Sequence, residues 1–119
     1  MQALFSRTLV RLPAGLCAVL TLTVIAYLSL APATEVPLPD TSDKAKHFVA
    51  YLVLGGALGI SLGPRRGLYA LIFATAYGIV LEIAQDVMDT GREGSITDAL
   101  ANAAGVACGV WAAKLLRRN

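Results

Sequence analysis

Residues 12–31 read LPAGLCAVLTLTVIAYLSLA, twenty positions without a charge. A helix rising 1.5 Å per residue covers about 30 Å over that length, the thickness of a bilayer's hydrocarbon core. Two arginines, Arg7 and Arg11, precede the run, and Pro32, Pro37 and Pro39 follow it. The same stretch has a second reading. Basic residues, an apolar run and then Ala31-Pro32-Ala33 match the layout of a signal peptide, although the run is longer than the usual h-region of about 7–15 residues. Either reading leaves the orientation of the later segments unchanged.

Three more apolar stretches follow. Residues 46–62 are short and glycine-rich, residues 67–87 are apolar up to Glu82, and residues 96–116 hold Asp98, Asn102 and Lys114. The connections are a proline-rich segment up to Lys46, a tight Gly63-Pro64-Arg65-Arg66 turn, and Asp86 to Ser95. The chain has 119 residues, 56% of them hydrophobic and only 15% charged, with a mean hydropathy of +0.65. In water such a chain would expose large apolar patches, a problem that a bilayer removes. The expectation is an all-α membrane protein: one domain, residues 1–119, forming a compact bundle of four transmembrane helices at about 12–31, 46–62, 67–87 and 96–116.

The charges set a direction. Arg7, Arg11, Arg65, Arg66, Lys114, Arg117 and Arg118 fall on one side of this frame. All eight acids fall on the other, namely Glu35, Asp40, Asp43, Glu82, Asp86, Asp89, Glu93 and Asp98, with only Lys44, Lys46 and Arg92 among them. The positive-inside rule places both termini of this multi-pass membrane protein in the cytoplasm. No basic stripe with interleaved aromatics points to nucleic acid, and two loop arginines are too few for a lipid-binding cluster.

Small residues recur at four-residue spacing: Gly55, Gly59 and Gly63, then Ala74 and Gly78, then Ala101, Gly105 and Gly109. In lipid, where no hydrophobic effect drives association, such residues let helices approach closely. Packing within one chain is the expected use, and the oligomeric state stays open. Cys17 and Cys108 lie in apolar runs without metal-finger spacing and read as small packing residues. Tyr27, Tyr51, Tyr69 and Trp111 fall near the ends of the spans, where interfacial anchoring is the expected role for most of them.

The unusual polar residues gather at the acidic end. Asp43, Lys44, His47 and Tyr51 open the second span, with His47 and Tyr51 on one face. Glu82 and Gln85 close the third. Arg92 and Ser95 lie in the last loop, and Asp98 and Asn102 open the fourth. Glu82 is the most informative of these, because an ionisable group below the membrane surface is costly and needs a partner; Arg92, Lys44 and His47 are the available cations. It reads either as a functional group or as half of a structural clamp. His47, the one histidine, reads as a general base, a metal ligand or a packing residue bonded to a carboxylate. With Glu82 and Asp98 it makes a weak three-ligand set whose spacing matches no metal motif, so neither metal nor cofactor is expected. Ser95 and Asp98 also fit an N-cap followed by a short version of the capping box. Asn102 lies one turn too deep for capping and is suited to a hydrogen bond between helices. Ser95 has no nucleophile-elbow context.

Three patterns carry a resemblance: Asp43-Lys44-x-x-His47-Phe48-x-x-Tyr51, Tyr77-Gly78-x-x-x-Glu82-x-x-Gln85, and Arg92-Glu93-Gly94-Ser95-x-x-Asp98-x-x-x-Asn102-x-x-Gly105. In this order and spacing the chain resembles the VanZ-like family of small bacterial membrane proteins. The family's named member is associated with resistance to teicoplanin, a lipid-tailed glycopeptide. The resemblance implies an envelope protein that meets a lipidic or glycopeptide ligand at the outer leaflet, and it implies no established reaction.

Three functions fit these residues. One is a binding module for membrane lipids, a lipid-linked envelope component or a lipoglycopeptide. It would use Asp43, Lys44, His47, Tyr51, Glu82, Gln85, Arg92, Ser95, Asp98 and Asn102, with Arg92 meeting phosphate or carboxylate. Another is an intramembrane enzyme with His47, Glu82 or Asp98 in acid–base roles on a lipid head group. The third is a structural or accessory subunit whose polar residues only hold the bundle together.

Overall fold

The computed structural model describes residues 2–31, 43–88 and 95–117, with side chains from Arg7 and, after the first gap, from Lys44. Four α-helices account for nearly all of it: α1 (Gln2–Leu30), α2 (Asp43–Leu62), α3 (Gly67–Val87) and α4 (Ile96–Leu116), with a 3₁₀ turn at Pro64–Arg66 between α2 and α3. All four are long and apolar enough to cross a membrane. The described residues form no strand. The spans expected at 67–87 and 96–116 coincide with α3 and α4. By contrast, α1 starts ten residues before the expected 12 and α2 three residues before 46. Hydropathy marks where the chain enters hydrocarbon, whereas a helix continues until something stops it. Neither Arg7 nor Arg11 does so, and Pro13 is accommodated inside α1.

Neighbouring helices in sequence run antiparallel, so α1 is parallel to α3 and α2 to α4. The tightest contact joins α2 and α4. A β-carbon on Gly55 would lie 2.6 Å from the Val106 carbonyl oxygen, and one on Gly109 would lie 2.6 Å from the Gly56 amide nitrogen and also strike the Leu52 carbonyl. Gly105 is pressed against the Phe48 carbonyl and lies beside the Leu52 amide. The backbones of α2 and α4 therefore touch, and the small-residue spacing is used inside the chain. Gly63 has a different role from the packing role expected of it. It ends α2 with φ 93°, the left-handed region that favours glycine. The Arg11 guanidinium covers it and donates from Nη2 to the Leu62 carbonyl at 3.2 Å. A cation on the last carbonyls of a helix also complements its dipole.

The interior is made of small residues and a few larger ones: Ala70, Ala74, Leu54 and Val106 are all fully buried. The large apolar side chains, including Leu16, Ile72, Ile83 and Trp111, lie outside, the distribution suited to hydrocarbon. One expectation changes here. Cys17 and Cys108 are exposed rather than packed, because the faces of α1 and α4 that carry them look outward. Tyr51 is buried at 2% exposure. Gly78 leaves room for its ring, since a β-carbon there would come within 3.1 Å of Tyr51 Cε1. It is a core residue and not an interfacial anchor, unlike Tyr27, Tyr69 and Trp111, which are exposed.

Polar bonds attach α1 to α3. The Tyr77 hydroxyl donates to the Leu22 carbonyl at 2.5 Å, and Gln85 Nε2 donates to the Ser29 carbonyl at 2.9 Å. Arg7, Arg11, Arg65, Arg66, Lys114 and Arg117 lie toward one end of the bundle, where α1 begins and α2 and α4 finish. Thermal melting in detergent checks the α2–α4 contact. Gly109→Ala is expected to destabilise the protein by about 2–3 kcal/mol or more, the scale of severe overpacking. Gly56→Ala is expected to be nearly neutral, because a β-carbon there meets nothing nearer than the Gly109 carbonyl oxygen at 3.7 Å.

Candidate functional site

At the opposite end, α2, α3 and α4 bring four polar side chains together. His47 comes from the first turns of α2, Glu82 from the last turns of α3, and Asp98 and Asn102 from the first two turns of α4. His47 is the hub. Its Nδ1 lies 2.8 Å from Asn102 Oδ1 and 3.8 Å from Glu82 Oε1. Its Nε2 lies 3.8 Å from Asp98 Oδ2. An amide oxygen only accepts hydrogen bonds, so Nδ1 carries the hydrogen in the bond to Asn102. In the neutral ring this leaves the Nε2 lone pair facing Asp98.

The register of α2 on α4 makes the His47–Asn102 bond possible. The backbones meet at Gly105 and Phe48, one residue from His47 and three from Asn102, so these two side chains leave adjoining turns toward each other. Asn102 is almost completely buried, and its amide packs beside Gly78, where a β-carbon would come within 3.2 Å of Nδ2. The glycine on α3 thus makes room for both Tyr51 and Asn102.

Glu82 is buried, 7% exposed, and one of its oxygens is held by the backbone. Ser95 N donates to Glu82 Oε2 at 2.9 Å. Ser95 is also the N-cap of α4: its extended backbone starts the helix and its hydroxyl oxygen accepts from Asp98 N, a long bond of 3.4 Å. A hydrogen bond at 2.7 Å joins that hydroxyl to Thr97 Oγ1. The cap and the cluster are therefore one structure. Capping positions Asp98 at the third residue of α4, and its carboxylate turns to His47 instead of returning to the cap as a longer glutamate would.

Not every predicted residue joins the cluster. Gln85 reaches away from it, to α1. Tyr51 lies beneath it as packing. Lys44 is exposed, and no contact places it on the carboxylates. The Asp43 side chain and all of Arg92 lie outside the described residues. Among the described residues, His47 is the basic side chain within 4 Å of Glu82. Two contributors escaped the reading of candidate residues. Tyr77 bonds the α1 backbone; its place in one of the three motifs was the available signal. Arg11 covers the end of α2, but a basic residue there reads equally well as a topology marker.

Polar groups from three helices at one end of a four-helix bundle, with an apolar exterior, define a multi-pass membrane protein with a terminal polar site. The profile of the VanZ/LLP1 family matches residues 14–117, and the chain belongs to that family. Comparison with curated proteins and with solved structures gave no match.

The bond from Ser95 to Glu82 separates two roles for the carboxylate. Glu82→Leu removes the acceptor and is expected to cost about 1–3 kcal/mol, as for a donor left without a partner. Glu82→Gln retains an amide oxygen that can accept and is expected to cost less than half as much. Melting curves of both variants in one detergent check the ordering. Equal losses would mean that the negative charge itself holds the bundle.

Proposed function

We propose that the His47–Glu82–Asp98–Asn102 cluster binds the polar head group of a lipid or a lipid-linked envelope component, at the outer face of the bacterial cytoplasmic membrane. One observation carries this reading: three helices raise hydrogen-bonding side chains to the same level, and the two nearest solvent stay partly open, His47 at 21% and Asp98 at 16% side-chain exposure. A cluster that served only to fasten helices would gain by closing over these groups, because a buried polar network is most valuable when fully satisfied. The position at the membrane boundary suits a ligand whose tail stays in lipid while its head reaches the site.

The outward direction rests on charge. Six of the described basic residues (Arg7, Arg11, Arg65, Arg66, Lys114 and Arg117) lie at the far end from His47, against Lys44 and Lys46 beside it, and the positive-inside rule assigns the more basic end to the cytoplasm. A lipid-tailed glycopeptide such as teicoplanin would be met on this outer face, which is how a role in glycopeptide resistance would arise. Fusion of a reporter to Asn119 tests the direction: a fluorescent protein that matures only in the cytoplasm is expected to glow there, and a periplasmic phosphatase fused at the same place is expected to stay inactive. The reverse pattern would move the site to the cytoplasmic leaflet.

A second reading, acid–base chemistry on a lipid head group, is favoured by the histidine between two carboxylates, each 3.8 Å from a different ring nitrogen. A general base is commonly oriented by a third group, and Asn102 holds His47 by Nδ1. Native mass spectrometry in nanodiscs of bacterial lipid extract tests the binding reading. Wild-type protein is expected to retain a defined lipid that His47→Gln and Asp98→Asn lose by about tenfold, the effect of roughly 1.4 kcal/mol. Retention that is equal in all three proteins would remove the cluster from binding. Release of a head-group fragment by wild type alone would favour the enzyme.

A further inference from the structure

The head-group reading leaves an electrostatic problem. Most membrane lipids and lipid-linked envelope carriers present phosphate, and the described cluster presents two carboxylates and one imidazole. Such a set attracts cations and repels phosphate oxygens. We propose that His47, Glu82 and Asp98 form a binding site for a first-row divalent cation of the Zn²⁺ or Mn²⁺ class, which in turn holds the phosphate of the ligand.

Three observations support the site. First, the three residues each offer one ligand atom, and these atoms all lie within 4.8 Å of one another. They come from three different helices, so the grouping is a product of the fold and not of local sequence. Second, the histidine is prepared for coordination. Its Nδ1 is engaged by Asn102 at 2.8 Å, which sets the tautomer and leaves Nε2 with its lone pair toward Asp98. Metal-bound histidines are ordinarily oriented in this way by a partner on the other nitrogen. Nε2 and Asp98 Oδ2 then stand 3.8 Å apart, two lone-pair donors across a gap too long for a hydrogen bond. Third, Glu82 is buried and anchored through one oxygen by the Ser95 amide, which leaves its other oxygen, 3.8 Å from His47 Nδ1, on the histidine side to turn toward the ion.

One imidazole nitrogen with two carboxylate oxygens is a mixed N/O set suited to Zn²⁺ and Mn²⁺. Bonds of about 2.0–2.1 Å put the ligands of a tetrahedral ion roughly 3.3 Å apart. Coordination therefore requires the three atoms, now within 4.8 Å of one another, to draw inward, with Glu82 Oε1 turning from the Nδ1 side toward Nε2. Three protein ligands leave a fourth position for a phosphate oxygen. The Asp98 and His47 side chains, the most exposed of the three, face the side from which it would arrive.

The phosphate-bridging part of this proposal rests on the head-group reading; the ion site does not, and the experiment separates them. The protein, purified without a histidine tag in a phosphate-free nonionic detergent, is titrated with Zn²⁺ and Mn²⁺ against a chromophoric chelator. In parallel, modification of its one histidine by diethyl pyrocarbonate is timed with and without metal. Competition with the dye and slowed modification of wild type are expected. Asp98→Asn should abolish both effects, and Asn102→Leu should weaken binding by about 10–100-fold, the usual effect of losing a partner of a metal-bound histidine. The wild-type protection assay stands even if a variant fails to fold. Neither competition nor protection in wild type overturns the site, whatever lipid binding does; lipid retained under those conditions would leave the head-group reading standing without an ion. Phosphatidylglycerol binding in phosphatidylcholine nanodiscs is then compared with and without EDTA. A loss of about tenfold or more on chelation supports the bridge. Metal binding with lipid retention indifferent to EDTA keeps the ion site and overturns the bridge.

Discussion

The structure depends on the contact between the backbones of α2 and α4. Gly55, Gly105 and Gly109 have no side chains to hold the helices apart, so carbonyl and amide groups of one helix lie against the α-carbons of the other. In a bilayer this replaces the hydrophobic effect, since lipid is as apolar as the side chains it would displace. Such an interface is also unforgiving. A rotation or slide of one helix would bring β-carbons of neighbouring residues into backbone, so the register is set by exclusion.

The site follows from that register. His47 and Asn102 meet because Phe48 meets Gly105, and the tautomer of the histidine follows from the meeting. The third helix adds the carboxylate of Glu82, with Gly78 one turn below leaving space for Tyr51 and Asn102. The start of α4 then completes the arrangement, because Ser95 uses its backbone amide for Glu82 and its hydroxyl for the cap. Stability and site chemistry are joined through this residue, and the choice between a site and a clamp becomes a matter of which oxygen atom is considered. One oxygen of Glu82 is structural, and the other faces the histidine.

Much of the bundle was legible in the sequence because a bilayer imposes one-dimensional rules. An apolar run of sufficient length must be helical, and α3 and α4 have the expected limits. The starts of α1 and α2 were misplaced because hydropathy records the solvent and not the hydrogen-bonding of the backbone. Gly63 followed the packing spacing but serves as a helix end, since spacing alone does not reveal a positive φ. The cysteines were assigned to the wrong surroundings, and the burial of Tyr51 was not legible, for a related reason: residue type indicates tolerance of lipid or core, and the rotation of the helix decides between them.

By itself, the sequence determined the number of helices, the sorting of charge between the two ends, and the set of polar residues from which a site could be built. These depend on chain length, hydropathy and the cost of burying charge, which act on each segment separately. Only the tertiary structure decided that His47, Glu82, Asp98 and Asn102 converge while Gln85 turns to α1 and Tyr51 goes beneath. Those outcomes depend on the azimuth and register of each helix against its neighbours. In this chain both are set by contacts between glycines and backbone atoms far apart in sequence.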